Sequence, residues 1–95
     1  MLYILSRSPY NFDLKALLRT VQLGDCLLLL SDGVIAGLSG TSAWRLLSAT
    51  NLTLYALLND ITARGLTTYF SRNIIMISYT DFVGLTEKHP QCMAW

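Results

Sequence analysis

Charge is scarce in this sequence. Of its 95 residues only 14% are Asp, Glu, Lys or Arg, against about 25% in an ordinary globular chain. The basic residues (Arg7, Lys15, Arg19, Arg45, Arg64, Arg72 and Lys88) are scattered, and the net charge is +1. Binding driven by nucleic-acid phosphates needs a basic patch. Any RNA contact is therefore expected to fall to another subunit. Long hydrophobic runs are missing too. None is longer than the stretch from Cys26 to Leu30, far short of the ~20 residues that span a bilayer. The opening Met-Leu-Tyr-Ile-Leu-Ser puts no basic segment ahead of its short apolar stretch, which argues against a signal peptide and for the cytoplasm.

Ligating and nucleophilic residues are just as few. His89 is the single histidine, which excludes clusters and dyads that need two imidazoles. Beside Lys88 and Pro90 at a helix end, it reads as a capping or surface residue. Cys26 and Cys92 form no Cys-x-x-Cys pair, and in a reducing compartment they read as free thiols. There is no Gly-x-x-x-x-Gly-Lys phosphate loop, no Gly-x-Gly-x-x-Gly and no Gly-x-Ser-x-Gly. No catalytic residue, cofactor or metal site is assigned.

What is abundant is apolar: 53% of residues. A domain this small buries only about 60–65% of its unfolded surface. Some apolar surface must stay outside, and such surface marks partner sites. An obligate oligomer built from one domain, residues 1–95, is expected.

The chain alternates short apolar runs with short amphipathic stretches. Leu2–Leu5 reads as a first strand and Ser8-Pro9-Tyr10-Asn11 as a turn, with Asn11 a helix cap. Leu14, Leu17, Leu18 and Val21 then share one helical face, ended by Gly24. Leu27–Leu30 has no polar alternation and suits a strand buried on both faces. Val34–Leu38 reads as a short helical turn. Thr41 or Ser42 caps a helix bearing Trp44, Leu46 and Leu47. A third strand runs from Leu52 to Leu57, and Asn59-Asp60 caps a short helix ending at Arg64-Gly65. Ile74–Ile77 is a fourth strand. Thr80 or Asp81 opens a last helix, Pro90 stops it, and Gln91–Trp95 is a final short strand or tail. Alternation of this kind predicts a small three-layer α/β domain. Its sheet is mostly parallel, with about four to five strands and helices on both faces.

Few residues invite a functional reading. Asp32-Gly33 falls where a parallel strand hands over to the next element, the edge at which α/β folds bind ligands. A turn with Gly in a left-handed conformation explains the pair as well. Arg64-Gly65 has the same dual reading, as interaction or turn residues. Cys26 lies at the start of an apolar strand beside Asp25, surroundings that suit an inert buried thiol. Cys92 is expected to be the more exposed.

Several stretches, in order and spacing, resemble the TusB/DsrH family. They are Leu5-Ser6-Arg7-Ser8-Pro9, Gly24-Asp25-Cys26 through Asp32-Gly33-Val34, Leu54-Tyr55-Ala56-Leu57, Ala63-Arg64-Gly65-Leu66, Tyr79 through Thr86, and Ala94-Trp95. The resemblance spans essentially the whole chain and implies a DsrEFH-like fold. It implies a non-catalytic subunit of a sulfur relay, assembled with TusC-like and TusD-like subunits as a heterohexamer, a dimer of heterotrimers. That complex passes persulfide sulfur from a TusA-like carrier towards a TusE-like one, for the 2-thio group of a tRNA wobble uridine. With its scattered charge and short apolar runs, the chain is expected not to bind tRNA directly or a membrane. The family's persulfide cysteine on the TusD-type subunit corresponds here to Leu57, and a second family cysteine, in the first helix, to Leu17. A sulfurtransferase using Cys26 or Cys92 directly remains the alternative.

Overall fold

A computed structural model describes residues 1–22 and 24–95. Five strands, β1 (Leu2–Leu5), β2 (Cys26–Leu29), β3 (Thr53–Leu57), β4 (Ile75–Ile77) and β5 (Cys92–Ala94), form one sheet in the order β4-β3-β2-β1-β5. Every pairing is parallel. Parallel neighbours need crossovers, and these are α1 (Leu14–Thr20), α2 (Ser42–Ser48), α3 (Leu58–Ala63) and α4 (Tyr79–Lys88). The first three steps move the chain one way across the sheet. Right-handed crossovers therefore leave α1, α2 and α3 on one face. The step from β4 to β5 spans the sheet in the opposite direction, so the same rule sends α4 to the other face.

Side-chain alternation follows from this. Tyr3, Leu5, Leu27, Leu29, Leu54 and Ala56 join Leu14, Leu17, Leu47 and Ile61 in the larger core. Leu2, Cys26, Leu28 and Ile77 face the other way, against Phe82 and Leu85 of α4. β2 is the central strand, and all four of its residues are buried, as its unbroken apolar run requires. No helix of the described residues is long and apolar enough to cross a membrane.

Several boundaries differ from the sequence expectation, each for a local reason. Asn11 does not cap α1. Pro9–Asn11 forms a 3-10 turn, and Asp13 caps the helix by accepting from Ala16 N–H. α1 ends at Thr20 rather than at Gly24, with the Thr20 hydroxyl turned back to the Leu17 carbonyl. Asn59-Asp60 caps nothing, because α3 begins at Leu58 without a side-chain cap. α4 opens at Tyr79, ahead of both Thr80 and Asp81. Ser78 accepts from Asp81 N–H while the Asp81 carboxylate accepts from Ser78 N–H, a reciprocal box.

Candidate functional site

Parallel α/β sheets present their loops at the carboxyl ends of the strands, and three of these loops meet here. At the end of β2 the chain bends through Ser31, the only non-glycine described with a positive φ, at 50°. Asp60, just past β3, holds that bend: its Oδ2 accepts from Ser31 N–H at 2.7 Å. Arg64 at the end of α3 closes the corner, with Nη2 3.2 Å from Asp32 Oδ1 and Nη1 3.8 Å from Asp60 Oδ1. The guanidinium thus bridges the two carboxylates at a partly exposed corner.

Gly33 does not have the left-handed conformation expected of it. A Cβ there would lie 2.0 Å from the Leu5 carbonyl oxygen, so glycine is needed for close approach to the end of β1. The same carbonyl accepts from Leu30 N–H at 3.0 Å. The left-handed glycine is Gly65, φ 66°, just after α3. Asp32, Gly33, Arg64 and Gly65 thus belong to one corner, and their visible work is to shape it. Leu57, at the carboxyl end of β3, is buried, and Leu17 is wholly so.

The thiols lie at the opposite edge. Cys26 and Cys92 are the first residues of β2 and β5, and both pair with Leu2 of the strand between them. Cys26 is buried and Cys92 exposed. Burial pushes the Cys26 thiol above its ordinary range; the Met1 ammonium opposes this and Asp25 adds to it. Asp25 is held below the usual carboxylate range by Gln22 N–H, donating at 2.8 Å, and by the Met1 ammonium at 3.0 Å. His89 is the C-cap residue of α4, and its Nε2 stands 3.8 Å from Cys26 Sγ. Cys92 Sγ lies 3.2 Å from the His89 carbonyl oxygen.

A family profile described as DsrH like protein matches residues 7–92. Proteins named Protein TusB match over all 95 residues, covering both chains completely. That of Sodalis glossinidius (strain morsitans) is 68% identical, that of Serratia proteamaculans (strain 568) 56%, and that of Escherichia coli (strain K12) 52%. This chain belongs to the DsrH-like family. Among solved structures, the ychN protein from E. coli superposes with a TM-score of 0.74 at 20% identity, covering 99% of this chain and 97% of that one. Protein Tm0979 from Thermotoga maritima gives 0.67 at 24%, covering 96% and 97%. At such identities these two establish the fold, a small parallel α/β domain.

Within this family member, Ser31 and Asp60 are the residues that sequence reasoning passes over. Their contact joins loops 29 residues apart, and no local spacing announces it. His89 was legible as a cap, but its approach to Cys26 across 63 residues was not.

Proposed function

We propose that this chain is a non-catalytic subunit of a sulfur-relay complex that delivers persulfide sulfur for 2-thiolation of a tRNA wobble uridine. Its 95 residues act as one domain in the cytoplasm, assembled with TusC-like and TusD-like subunits in a dimer of heterotrimers. TusA-like and TusE-like carriers hand sulfur to and from the complex, and tRNA is met elsewhere. The observation that carries this reading is the occupancy of the family's thiol positions. Leu57 and Leu17 stand there, both in the core, and an aliphatic side chain forms no persulfide.

The chain's own thiols are poorly placed to substitute. Cys26 pairs with Thr53, four residues before Leu57 on β3, so at ~3.3 Å per residue it lies roughly 13 Å from that edge. A sulfur carrier must present a thiolate, whereas burial holds Cys26 protonated. One observation favours the alternative, a sulfurtransferase with persulfide on Cys26 or Cys92: the His89 imidazole beside Cys26.

Persulfide transfer is a displacement at sulfur, so removing the carrier thiol abolishes it. The Cys26→Ser, Cys92→Ser double variant, co-expressed with its partner subunits, is expected to assemble and to sustain near-normal 2-thiouridine yield in tRNA. Loss of thiolation from a complex of unchanged mass would overturn the non-catalytic reading in favour of a carrier role.

A further inference from the structure

The amino edge of the sheet holds a pair of groups that the relay reading does not use. Pro90 disfavours helical geometry at the residue before it, and His89 leaves α4 with φ −119° and ψ 88°. Backbone bonds then tie its surroundings to the start of β1. Leu2 N–H donates to the Gln91 carbonyl at 3.1 Å, and Cys26 N–H to the Met1 carbonyl at 3.0 Å. The half-buried imidazole so held stands with Nε2 3.8 Å from Cys26 Sγ. Leu2, Leu28 and Ile77 pack with Cys26 in the smaller apolar core. His89 also lines an open pocket of about 180 Å³, together with Met1, Pro90 and Gln91.

We infer that Cys26 and His89 form a binding site for one soft monovalent cation, Cu(I), held between Sγ and Nε2. The spacing fits. An ion with a filled d shell sits about 2.3 Å from a thiolate sulfur and about 2.0 Å from an imidazole nitrogen. Two such bonds span the 3.8 Å gap at an angle of roughly 120°, that of a three-coordinate ion with one position left for solvent. The donors fit as well. Thiolate is a soft ligand that selects Cu(I), and imidazole suits copper. The neighbouring hard donor is already engaged, because Asp25 accepts from the Met1 ammonium at Oδ1 and from Gln22 N–H at Oδ2. Among the described residues no three His, Cys, Asp or Glu side chains are grouped to hold a metal ion, so a four-ligand zinc cage is not built there. Charge selects the monovalent ion. Cys26 is only 7% exposed, and an uncompensated charge is costly in such a place. A thiolate with Cu(I) is neutral, whereas with Zn(II) it keeps a net positive charge. On binding, the Cys26 thiol loses its proton to water as the sulfur–copper bond forms. His89 binds through Nε2 with its proton on Nδ1, and no electron moves. The site needs no persulfide and stands apart from the relay reading.

Anaerobic titration of the full chain with Cu(I), buffered by a competing chelator, tests it. The unaltered protein and Cys92→Ser should each bind one Cu(I) with a thiolate-to-copper absorption band in the ultraviolet. Cys26→Ser should lose that ion. His89→Ala should hold it at least tenfold more weakly, since even outer-shell partners of a metal are worth that much. Zn(II) should bind less tightly than Cu(I). Cys26 is a core residue, so a readout on the unaltered protein guards against a misfolded variant: Cu(I) should shift the His89 Nε2 resonance in nitrogen NMR. Binding that survives Cys26→Ser, is lost in Cys92→Ser or ignores His89→Ala overturns the inference. So does Zn(II) binding as tight as Cu(I) binding, or a His89 resonance that Cu(I) does not move.

Discussion

Ser31 and Gly33 stand two positions apart, and the special conformation falls on the serine. Gly33 meets a different constraint, the Leu5 carbonyl oxygen 2.0 Å from where a Cβ would be. Backbone does not yield as a flexible side chain does, so Gly33→Ala should destabilise the chain by about 3 kcal/mol, the upper range for overpacking, read from a urea midpoint. Sequence offers Asp32-Gly33 and Arg64-Gly65 as interaction or turn residues. It did not show that they share a corner, because Asp60, the residue joining them, acts across loops. The thiols separate along burial. Cys92 should react rapidly with a maleimide at neutral pH and Cys26 slowly, since alkylation needs the thiolate. The Cys26 shift is upward, mainly through desolvation. The folded state then holds its proton more tightly than the unfolded one. Its contribution is complete below the ordinary thiol range and is lost as pH rises through the higher folded value. Cys26→Ala should flatten that alkaline decline; an unchanged pH profile would show that Cys26 does not cause it. Asp25 has the opposite sign. Its lowered value means a clamp on Met1 and Gln22 that is intact above the ordinary carboxylate range and lost in acid as pH falls through the folded value.

At the level of elements, periodicity located every strand and every α-helix, and Thr41 caps α2 as expected, while the caps of α1, α3 and α4 fall two or three residues from where the sequence puts them. Thr80 and Asp81 read as the start of α4 because Phe82 and Val83 follow them. The cap is Ser78, and Asp81 answers it from the third helical position. Both members of a capping box are good cap residues, so sequence alone favours whichever adjoins the apolar run. Ser78→Ala should cost about 1 kcal/mol in a chemical denaturation curve. Asn59-Asp60 reads as a cap for a similar reason, standing polar near the start of a helix. The Asp60 carboxylate instead serves another element, so Asp60→Ala leaves the Ser31 N–H without its acceptor. A loss of about 2 kcal/mol is expected, and Asp60→Asn, which keeps an acceptor oxygen, should recover part of it. The 3-10 segment Thr67–Tyr69 and the bridge from Leu38 to Phe70 had no counterpart in the sequence reading. They depend on Phe70 docking against Gly37, where a Cβ would fall 2.3 Å from the ring.

For the molecule as a whole, alternation and apolar runs were enough to foresee a parallel sheet with a central β2. The crossover rule turns the strand order into an unequal pair of faces. Its consequence for stability is what composition alone suggested: apolar side chains remain in water at Ile75, Met76, Tyr79, Val83 and Met93. Burying such surface in an assembly stabilises the folded state by mass action, by RT ln(1 + [L]/Kd) for a partner at concentration [L]. An obligately associating chain therefore has no single melting temperature. Raising the concentration of the isolated chain tenfold, or adding stoichiometric partner subunits, should raise its Tm by several degrees, given about 4–8 °C per kcal/mol for a domain of this size. A Tm raised neither by concentration nor by partner subunits would show that these residues are stably wet, and that the apolar surplus serves no association.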